Sequence, residues 1–228
     1  RGGNFDENLV YVNDILIYRP FLIRSGQQEG LSFVNPDMVS SVLFSAGGFE
    51  AKYGDKMSSV LDIRYKKPVE NEGSVSASLL GATAHWSGTT EDHRFTHISG
   101  FRYKSAQYLL NSLETEGEYD PKFIDFQTYL TYDISDELEL SFLGNVSQNE
   151  YTFVPVNRET SFGTVNEALQ LKIFFEGQEV DKFTTYTAAF ASEYKPTKDL
   201  KLKFIASTFE TIEEETYDIF SQYLLNEL

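Results

Sequence analysis

The sequence predicts a mostly β protein with two parts, a small α+β domain over residues 1–68 and an incomplete antiparallel transmembrane β-barrel over residues 69–228. The main observation is strand length. Apolar and polar residues alternate for about twelve residues in several segments of the second part, whereas soluble strands usually run about five or six. A tilted strand needs roughly 9–11 residues to cross a bilayer. Short and long connectors also alternate between these segments, which is typical of outer-membrane barrels.

The small domain begins with a predicted hairpin over Leu9–Tyr18, LVYVNDILIY, in which Asn13 and Asp14 form the turn between two apolar strands. A short helix is expected over roughly Pro36–Ser41, because Asn35 can cap it and proline fits the first turn. Strands and a helix of this length give the α+β character of the domain.

Two further strands are predicted at Val42–Ser45 and Val60–Tyr65. The connector between them is rich in glycine, which permits positive φ and close approach of the backbone. The second strand ends at Lys66-Lys67-Pro68, because proline cannot continue a central strand. After this point the sequence changes to long alternating segments.

The stretch from Val42 to Lys67 resembles the end of the plug domain of TonB-dependent outer-membrane receptors. The residues that match this plug motif are Gly47, Gly48, Tyr53, Gly54, Ser58 and Ser59. Upstream, Arg1-Gly2-Gly3 and Leu9–Tyr18 match two earlier plug motifs. Asn13-Asp14 replaces the usual Asp-Gly, and Ser58-Ser59 replaces a glycine-rich pair. The resemblance implies that residues 1–68 are the C-terminal part of a plug domain.

In the second part, Phe123–Ile134 shows the alternation most clearly. Its apolar face holds Ile124, Phe126, Thr128, Leu130, Tyr132 and Ile134, and its polar face holds Asp125, Gln127, Tyr129, Thr131 and Asp133. The same pattern recurs in Leu138–Tyr151, Phe183–Tyr194 and Leu200–Phe209. Phe95–Lys104 is strand-like, with no clear choice of face. One apolar and one polar face fit a barrel wall between lipid and a hydrated interior.

The connectors predict the orientation of the barrel. Ser135–Glu137 and Pro196–Asp199 are short, and Ser105–Pro121 and Thr152–Val180 are long. Outer-membrane barrels have short periplasmic turns and long extracellular loops, so the short connectors are assigned to the periplasm. The resemblance implies that the plug joins the barrel at the periplasmic face. A hairpin near Gly81 then gives the strands the required directions, and makes about seven strands of a barrel that has about twenty-two in the family.

Composition excludes some classes of function. Residues 1–68 carry eight acidic and eight basic side chains, so the net charge of −16 lies entirely in residues 69–228. Such a field disfavours nucleic acid as a partner. The acidic surplus fits hydrated loops and a hydrated lumen, and it also leaves cationic ligands, neutral ligands or bridging divalent cations open. The chain has no cysteine and no apolar run of eighteen residues, so neither a disulfide framework nor a transmembrane helix is expected.

The sequence contains no Ser-His-Asp arrangement, phosphate loop or supported pair of catalytic carboxylates, so neither an enzyme nor a resident cofactor is expected. The resemblance implies a ligand site at the outer loops of the plug, with the candidates Arg19, Phe21, Arg24, Gln27, Gln28 and Glu29. Arg19 and Arg24 could instead pair with acidic residues of the lumen and hold the plug in its barrel. No metal motif is present. The weak candidates for a hard cation, which also fit a solvated rim, are Glu213, Glu214, Glu215 and Asp218.

The resemblance implies a receptor in the outer membrane of a Gram-negative bacterium that binds a ligand at the cell surface and imports it into the periplasm. Its partners would be TonB with its inner-membrane energising complex, outer-membrane lipids, and a surface lipoprotein or other subunits of an outer-membrane complex. The alternative is a non-transporting plug-barrel scaffold subunit of such a complex. The substrate stays open, because importers of siderophores, cobalamin, glycans and peptides share these plug features.

Overall fold

The computed structural model of the chain describes residues 7–18, 20, 32–56, 58–110, 117–164 and 167–227. It contains two sheets. The smaller sheet consists of β1 (Asn8–Val12), β2 (Ile15–Leu16), β3 (Val39–Ala46) and β4 (Ser59–Tyr65). The larger sheet, which we call the wall, consists of β5 (Glu72–Ser78), β6 (Gly81–Thr89), β7 (Phe95–Ser105), β8 (Gly117–Ser135), β9 (Leu138–Pro155), β10 (Arg158–Thr164), β11 (Glu167–Thr197) and β12 (Leu200–Glu227). A short helix, α1 (Gln107–Leu110), lies between β7 and β8.

The smaller sheet has the strand order β2-β1-β4-β3. β1 runs parallel to the central strand β4, and the other two pairings are antiparallel. Asn13 and Asp14 have positive φ values of 50° and 69°, as expected for the tight turn of the first hairpin. The predicted hairpin and its turn are therefore confirmed.

The predicted helix is shorter than expected. Only Pro36–Met38 form a helical turn, which is of the 3-10 type, and β3 already begins at Val39. The predicted cap is confirmed, because the side chain of Asn35 accepts a hydrogen bond from the backbone N–H of Asp37 at 3.1 Å. Val39 is β-branched and pairs with Tyr65, so the antiparallel ladder takes over at the residue where the sequence predicted continued helix.

The wall is a curled antiparallel sheet in which each strand from β5 to β8 pairs with the next along the chain. β11 pairs with β9, β10 and β12. The hairpin predicted near Gly81 is confirmed, because Ser78 and Gly81 are paired across the turn from β5 to β6. Among the described residues β5 and β12 do not pair with each other, so the sheet is open. None of the helices in the described ranges has the length and apolarity required to span a membrane.

The two faces of β8 have the reverse of the usual burial. The polar face is covered, since Asp125 is 2% exposed and Gln127 is 0% exposed. The apolar face is open, since Phe126 is 39% exposed and Tyr132 is 48% exposed. The predicted division of β8 into two faces is therefore confirmed. An open apolar face and a covered polar face are typical of a sheet whose outer surface meets lipid.

The structure confirms the two predicted short connectors, and it shows that the prediction of one long loop is wrong. β8 and β9 are joined at Ser135 and Leu138, and β11 and β12 are joined at Thr197 and Leu200. The segment Thr152–Val180 was predicted as a loop but is mostly strand. It contains the end of β9, all of β10 and the first part of β11. Their ladders supply the backbone hydrogen bonds that a loop of this length would lack.

A hydrophobic core joins the small domain to the wall. The small domain contributes Val10, Val12, Ile15, Ile17, Phe33, Met38, Ile63 and Tyr65, and the wall contributes Ile98, Leu143 and Ala189. These wall residues lie on the same face as Gln127, so the small domain packs against an apolar part of the inner face. This core places the small domain in the concavity of the wall.

Candidate functional site: the interface between the small domain and the wall

The residues predicted for the ligand site cannot be placed. Arg19, Phe21, Arg24, Gln27, Gln28 and Glu29 all lie outside the described residues. The site that the described residues define is the polar interface between the small domain and the inner face of the wall.

The plug-motif residues all act within the small domain. Gly47 and Gly48 have positive φ values of 76° and 63°, which explains the need for glycine in this turn. The hydroxyl of Tyr53 donates a hydrogen bond of 2.6 Å to buried Asp62. Ser58 and Ser59 donate to Glu7 at 2.7 Å and to Asn8 at 2.6 Å. The two serines thus fasten the start of β4 to the start of β1, beyond the turn that contains Gly54.

One buried polar contact of the interface is formed by Arg102 of β7, which is 3% exposed. Its guanidinium binds both carboxylate oxygens of Asp125 on β8, at 2.8 Å and 2.5 Å. The same group donates to the backbone carbonyls of Val34 at 2.9 Å and Ser32 at 3.0 Å. Asp125 neutralises the charge, and the remaining donors hold the backbone of the small domain.

Gln127 extends this contact along β8. Its amide nitrogen donates to the carbonyl of Phe33, and its amide oxygen accepts a hydrogen bond of 2.9 Å from the hydroxyl of Tyr65. The ring of Tyr65 packs edge-on against Tyr129, with ring centres 6.1 Å apart. Arg102 and Gln127 together satisfy consecutive carbonyls of the segment that precedes the 3-10 turn, so they fix this segment whatever side chains it carries.

A second contact is ionic and more exposed. Asp14, in the turn of the first hairpin, binds Arg64 of β4 and Lys203 of β12. Partial burial raises the pKa of Asp14, but the hydrogen bonds from Arg64 and Lys203 outweigh burial and hold this pKa well below its usual range. Lys203 also lies 3.9 Å from Glu193 on β11. Asp14 therefore links the small domain to the far edge of the wall.

The junction between the two parts of the chain is held by Lys67. Its ammonium lies 3.2 Å from Asp133 and 2.8 Å from Glu139, on either side of the turn between β8 and β9. The pKa of Lys67 is raised, because its bonds to Glu139 and Asp133 together outweigh partial burial, which acts in the opposite direction. The basic segment at the end of the plug motif thus binds the rim of the wall.

The acidic residues proposed for a hard cation are divided between two faces of β12. Glu215 pairs with Asp181 and Glu213 with Phe183 on the inner face, while Glu214 pairs with Lys182 and Asp218 with Gln178 on the outer face. Within the described ranges no group of three or more His, Asp or Glu side chains is placed to hold a metal ion. This division disfavours a metal site shared by all four.

Sequence reasoning missed Arg102 and Lys203 as interface residues. Asp125 and Gln127 were assigned to a polar face, which is the signal that could have pointed to the interface. Arg102 lies in Phe95–Lys104, where the alternation did not indicate a face, and its partners Ser32 and Val34 are distant in sequence. Lys201 and Lys203 lie on the same face of the predicted strand. The sequence pattern does not indicate which of the two contacts solvent and which binds Asp14.

Neither a protein-family model nor a curated protein sequence matches this chain significantly. Solved structures do. The siderophore receptor PirA from Acinetobacter baumannii has a TM-score of 0.50 and 14% sequence identity, over 94% of this chain and 38% of that receptor. A mutant of the ferric enterobactin receptor PfeA from Pseudomonas aeruginosa has a TM-score of 0.45 and 11% identity, over 97% of this chain and 41% of that receptor. PirA from Pseudomonas aeruginosa has a TM-score of 0.43 and 12% identity, over 100% of this chain and 50% of that receptor.

The likeness to the first of these structures confirms the predicted fold class and, at the level of fold, the resemblance to TonB-dependent receptors. The chain spans between 38% and 50% of the length of these receptors. It therefore has part of the fold of an outer-membrane β-barrel receptor.

Proposed function

We propose that the chain is part of an outer-membrane receptor that binds a ligand at the cell surface and imports it into the periplasm with energy from TonB. The observation that carries this proposal is a small domain held by polar contacts inside a wall whose outer face is apolar. In such an arrangement the small domain would close the barrel, and breaking its polar contacts to the wall would open it. The fold shared with PirA supports the same conclusion.

The outer face of the wall supports a membrane location. On β8 it runs from Ile124 to Ile134, which at about 3.3 Å per residue and a tilt of about 45° gives an apolar height of roughly 23–25 Å. Just beyond Ile124, four directly paired outward side chains form a row of alternating charge: Lys122, Glu150, Lys182 and Glu214. At the other end, Tyr132 and Tyr194 lie outward near the short turns, where an aromatic girdle is expected. Outer-membrane lipids would contact this band.

The interface contacts suggest how transport would proceed. TonB, driven by the inner-membrane complex, would pull on a segment of the plug and break the contacts to the wall. Arg102 and Gln127 hold backbone carbonyls in a dry site, whereas Asp14 and Lys67 form ion pairs that are partly exposed. Exposed ion pairs are individually weak and easily replaced by water. In the proposed transport step, part of the small domain loses its ordered structure, while the buried contacts keep the rest of the domain bound to the wall.

The proposal is tested by purifying the full-length receptor from native outer membranes and identifying its proteins and small molecules by mass spectrometry. Recovery of a small ligand, together with TonB after cross-linking, is the expected result. A fixed set of envelope proteins, including any surface lipoprotein, with neither ligand nor TonB would overturn the importer. That outcome would favour a scaffold subunit that keeps the plug-barrel fold without transport.

A further inference from the structure

Four charged side chains form a row across the inner face of the wall, near its short turns. Asp133 of β8 is the direct partner of Glu139 on β9. Glu139 is in turn the partner of Glu193 on β11, which is the partner of Lys203 on β12. We call these four residues the inner row. At about 4.8 Å between neighbouring strands, the inner row is roughly 14–15 Å long.

The small domain binds both ends of the inner row. At one end, the ammonium of Lys67 lies 3.2 Å from Asp133 and 2.8 Å from Glu139. At the other end, Asp14 binds Lys203. The two contacts have opposite polarity, since the small domain supplies a cation to the first and an anion to the second. Both contacts therefore end on one continuous set of charges.

Three of the four members of the inner row are carboxylates that lie side by side. Like charges directly opposite each other in a ladder repel, so each carboxylate is stabilised by a nearby cation. Asp133 and Glu139 share Lys67, which the small domain supplies. Glu193 lies close to three ammonium groups of the wall, those of Lys195 at 2.7 Å, Lys201 at 2.8 Å and Lys203 at 3.9 Å.

Two of these lysines are placed to exchange one carboxylate for another. Lys203 binds Asp14 while it lies 3.9 Å from Glu193, so a rotation within its flexible side chain moves it from the small domain to the wall. Lys195 binds Glu193, whose direct partner is Glu139, and its side chain lines the same cleft as both glutamates. A change of partner at one end of the inner row can therefore reach the other end in two steps.

We propose that the inner row couples the two ionic contacts, so that the small domain forms and releases them together. When Lys67 leaves, Glu139 lacks its counter-ion and attracts a lysine from its neighbour Glu193. Glu193 replaces that lysine with Lys203, and Asp14 loses its partner on the wall. The same exchange runs in reverse when Asp14 leaves first, because coupling between two sites is reciprocal.

The lysines are needed for this coupling because the direct field between the two ends is weak. The length of the inner row exceeds the Debye length, which is about 8 Å at physiological ionic strength. The inference goes beyond the proposed import, since it concerns how the small domain is held and depends neither on the ligand nor on TonB.

A double-mutant cycle in the full-length receptor tests the coupling. Lys67→Gln and Asp14→Asn each remove one contact and keep a polar side chain, and the readout is the rate at which a protease cleaves the plug of the folded receptor. Each single variant should speed cleavage about threefold, as expected for the loss of a partly exposed ion pair. Independent contacts would multiply to about ninefold in the double variant, whereas coupled contacts should give about threefold to fourfold. A ninefold increase, or single variants cleaved at the wild-type rate, would overturn the proposal.

Glu193→Gln removes the middle of the inner row and tests whether the row carries the coupling. In this background the two substitutions should act independently, so that their effects multiply. Glu137→Gln is the matched control, because Glu137 is an exposed carboxylate that lines the same cleft but lies outside the inner row. The coupling should persist in this control. Coupling that survives Glu193→Gln, or that is lost equally in both backgrounds, would show that the inner row does not carry it.

Discussion

Arg102 brings one buried charge pair into the interface between the small domain and the wall. The guanidinium and the carboxylate of Asp125 are both almost fully buried. Removing both charges from water costs free energy, and their mutual attraction must repay that cost. The pair by itself is weak support for stability, because desolvation offsets much of the attraction. Its value lies in the donors that Arg102 still directs at the carbonyls of Ser32 and Val34.

We predict that Arg102→Met in the full-length receptor destabilises the docked plug by about 3–5 kcal/mol, because it leaves the carboxylate of Asp125 buried without a partner. Hydrogen exchange of the backbone amides around the 3-10 turn should become faster. The double variant Arg102→Met with Asp125→Leu removes the isolated charge and should recover part of the protection. If the single and double variants exchange equally fast, the buried charge is not the cause.

Gly100 is the point where the wall makes room for the small domain. A Cβ at this position would meet the amide nitrogen of Asn35, and then the sulfur of Met38 at 3.3 Å. Asn35 is fully buried and caps the 3-10 turn, so it has little freedom to move aside. Glycine is needed here for the close approach of two parts of the chain and not for its backbone angles.

Gly100→Ala should therefore lift the plug segment from the wall at a cost of about 1–3 kcal/mol, as for other overpacked sites. Gly144→Ala is the control, because a Cβ there meets the ring of Phe142 at 3.0 Å, on the outer face where the ring can turn away, and the methyl group of Thr128 at an ordinary contact distance of 3.4 Å. Limited proteolysis of the plug in the full-length receptor would compare them. Equal susceptibility of the two variants would contradict this role for Gly100.

Single residues show where sequence-based prediction stops. The turn of Asn13 and Asp14, the cap at Asn35 and the positive φ values of Gly47 and Gly48 follow from local chemistry, and were predicted. Whether Arg102 or Lys203 binds a distant partner depends on which strands become neighbours, and the spacing of residues does not contain that information.

At the scale of elements, alternation predicts strands well only where two different environments act on them. β8 and β9 separate lipid from lumen, and the faces predicted for β8 are confirmed. The segment Thr152–Val180 lies largely beyond the apolar band, where both faces can meet water. There the alternation of Leu169, Leu171 and Ile173 is interrupted by Phe174-Phe175 and Gly177, so the pattern does not indicate a continuous strand. Its strands follow from the ladders that β9, β10 and β12 form with β11, not from patterning.

Because the outer face of β11 is assigned to lipid, the cost of placing a charged side chain on that face should depend on its depth in the bilayer. Phe190 is 42% exposed on the outer face, close to the middle of the apolar band, so Phe190→Lys should destabilise the folded receptor by about 2–4 kcal/mol. Thr152→Lys lies on the same face of β9 but beyond the charged row, and should cost about 0–1 kcal/mol. Urea titrations of the full-length receptor in lipid vesicles would measure both. Equal costs would contradict a bilayer at this height.

At the scale of the whole molecule, two kinds of contact join the small domain to the wall. The core around Met38 and the bonds from Arg102 and Gln127 are buried and respond little to salt. The links through Asp14 and Lys67 are ionic, partly exposed and sensitive to salt and pH. A domain held in this way stays docked at rest, yet one set of its contacts can be weakened from the solvent without disturbing the other.

Acid should weaken the docked plug through Asp14. Its pKa is lower in the folded protein than in the unfolded chain, where a carboxyl of this type titrates near about 3.9. The unfolded chain therefore takes up the proton first, so the stabilisation is complete above about pH 4 and is lost as the pH falls through the lower folded pKa. Lys203 and Arg64 then lose their shared partner. Plug protection against proteolysis should fall more steeply below about pH 4 in the wild type than in Asp14→Asn, which has already lost the carboxylate. Parallel acid profiles for the two proteins would show that Asp14 does not link the plug to the wall.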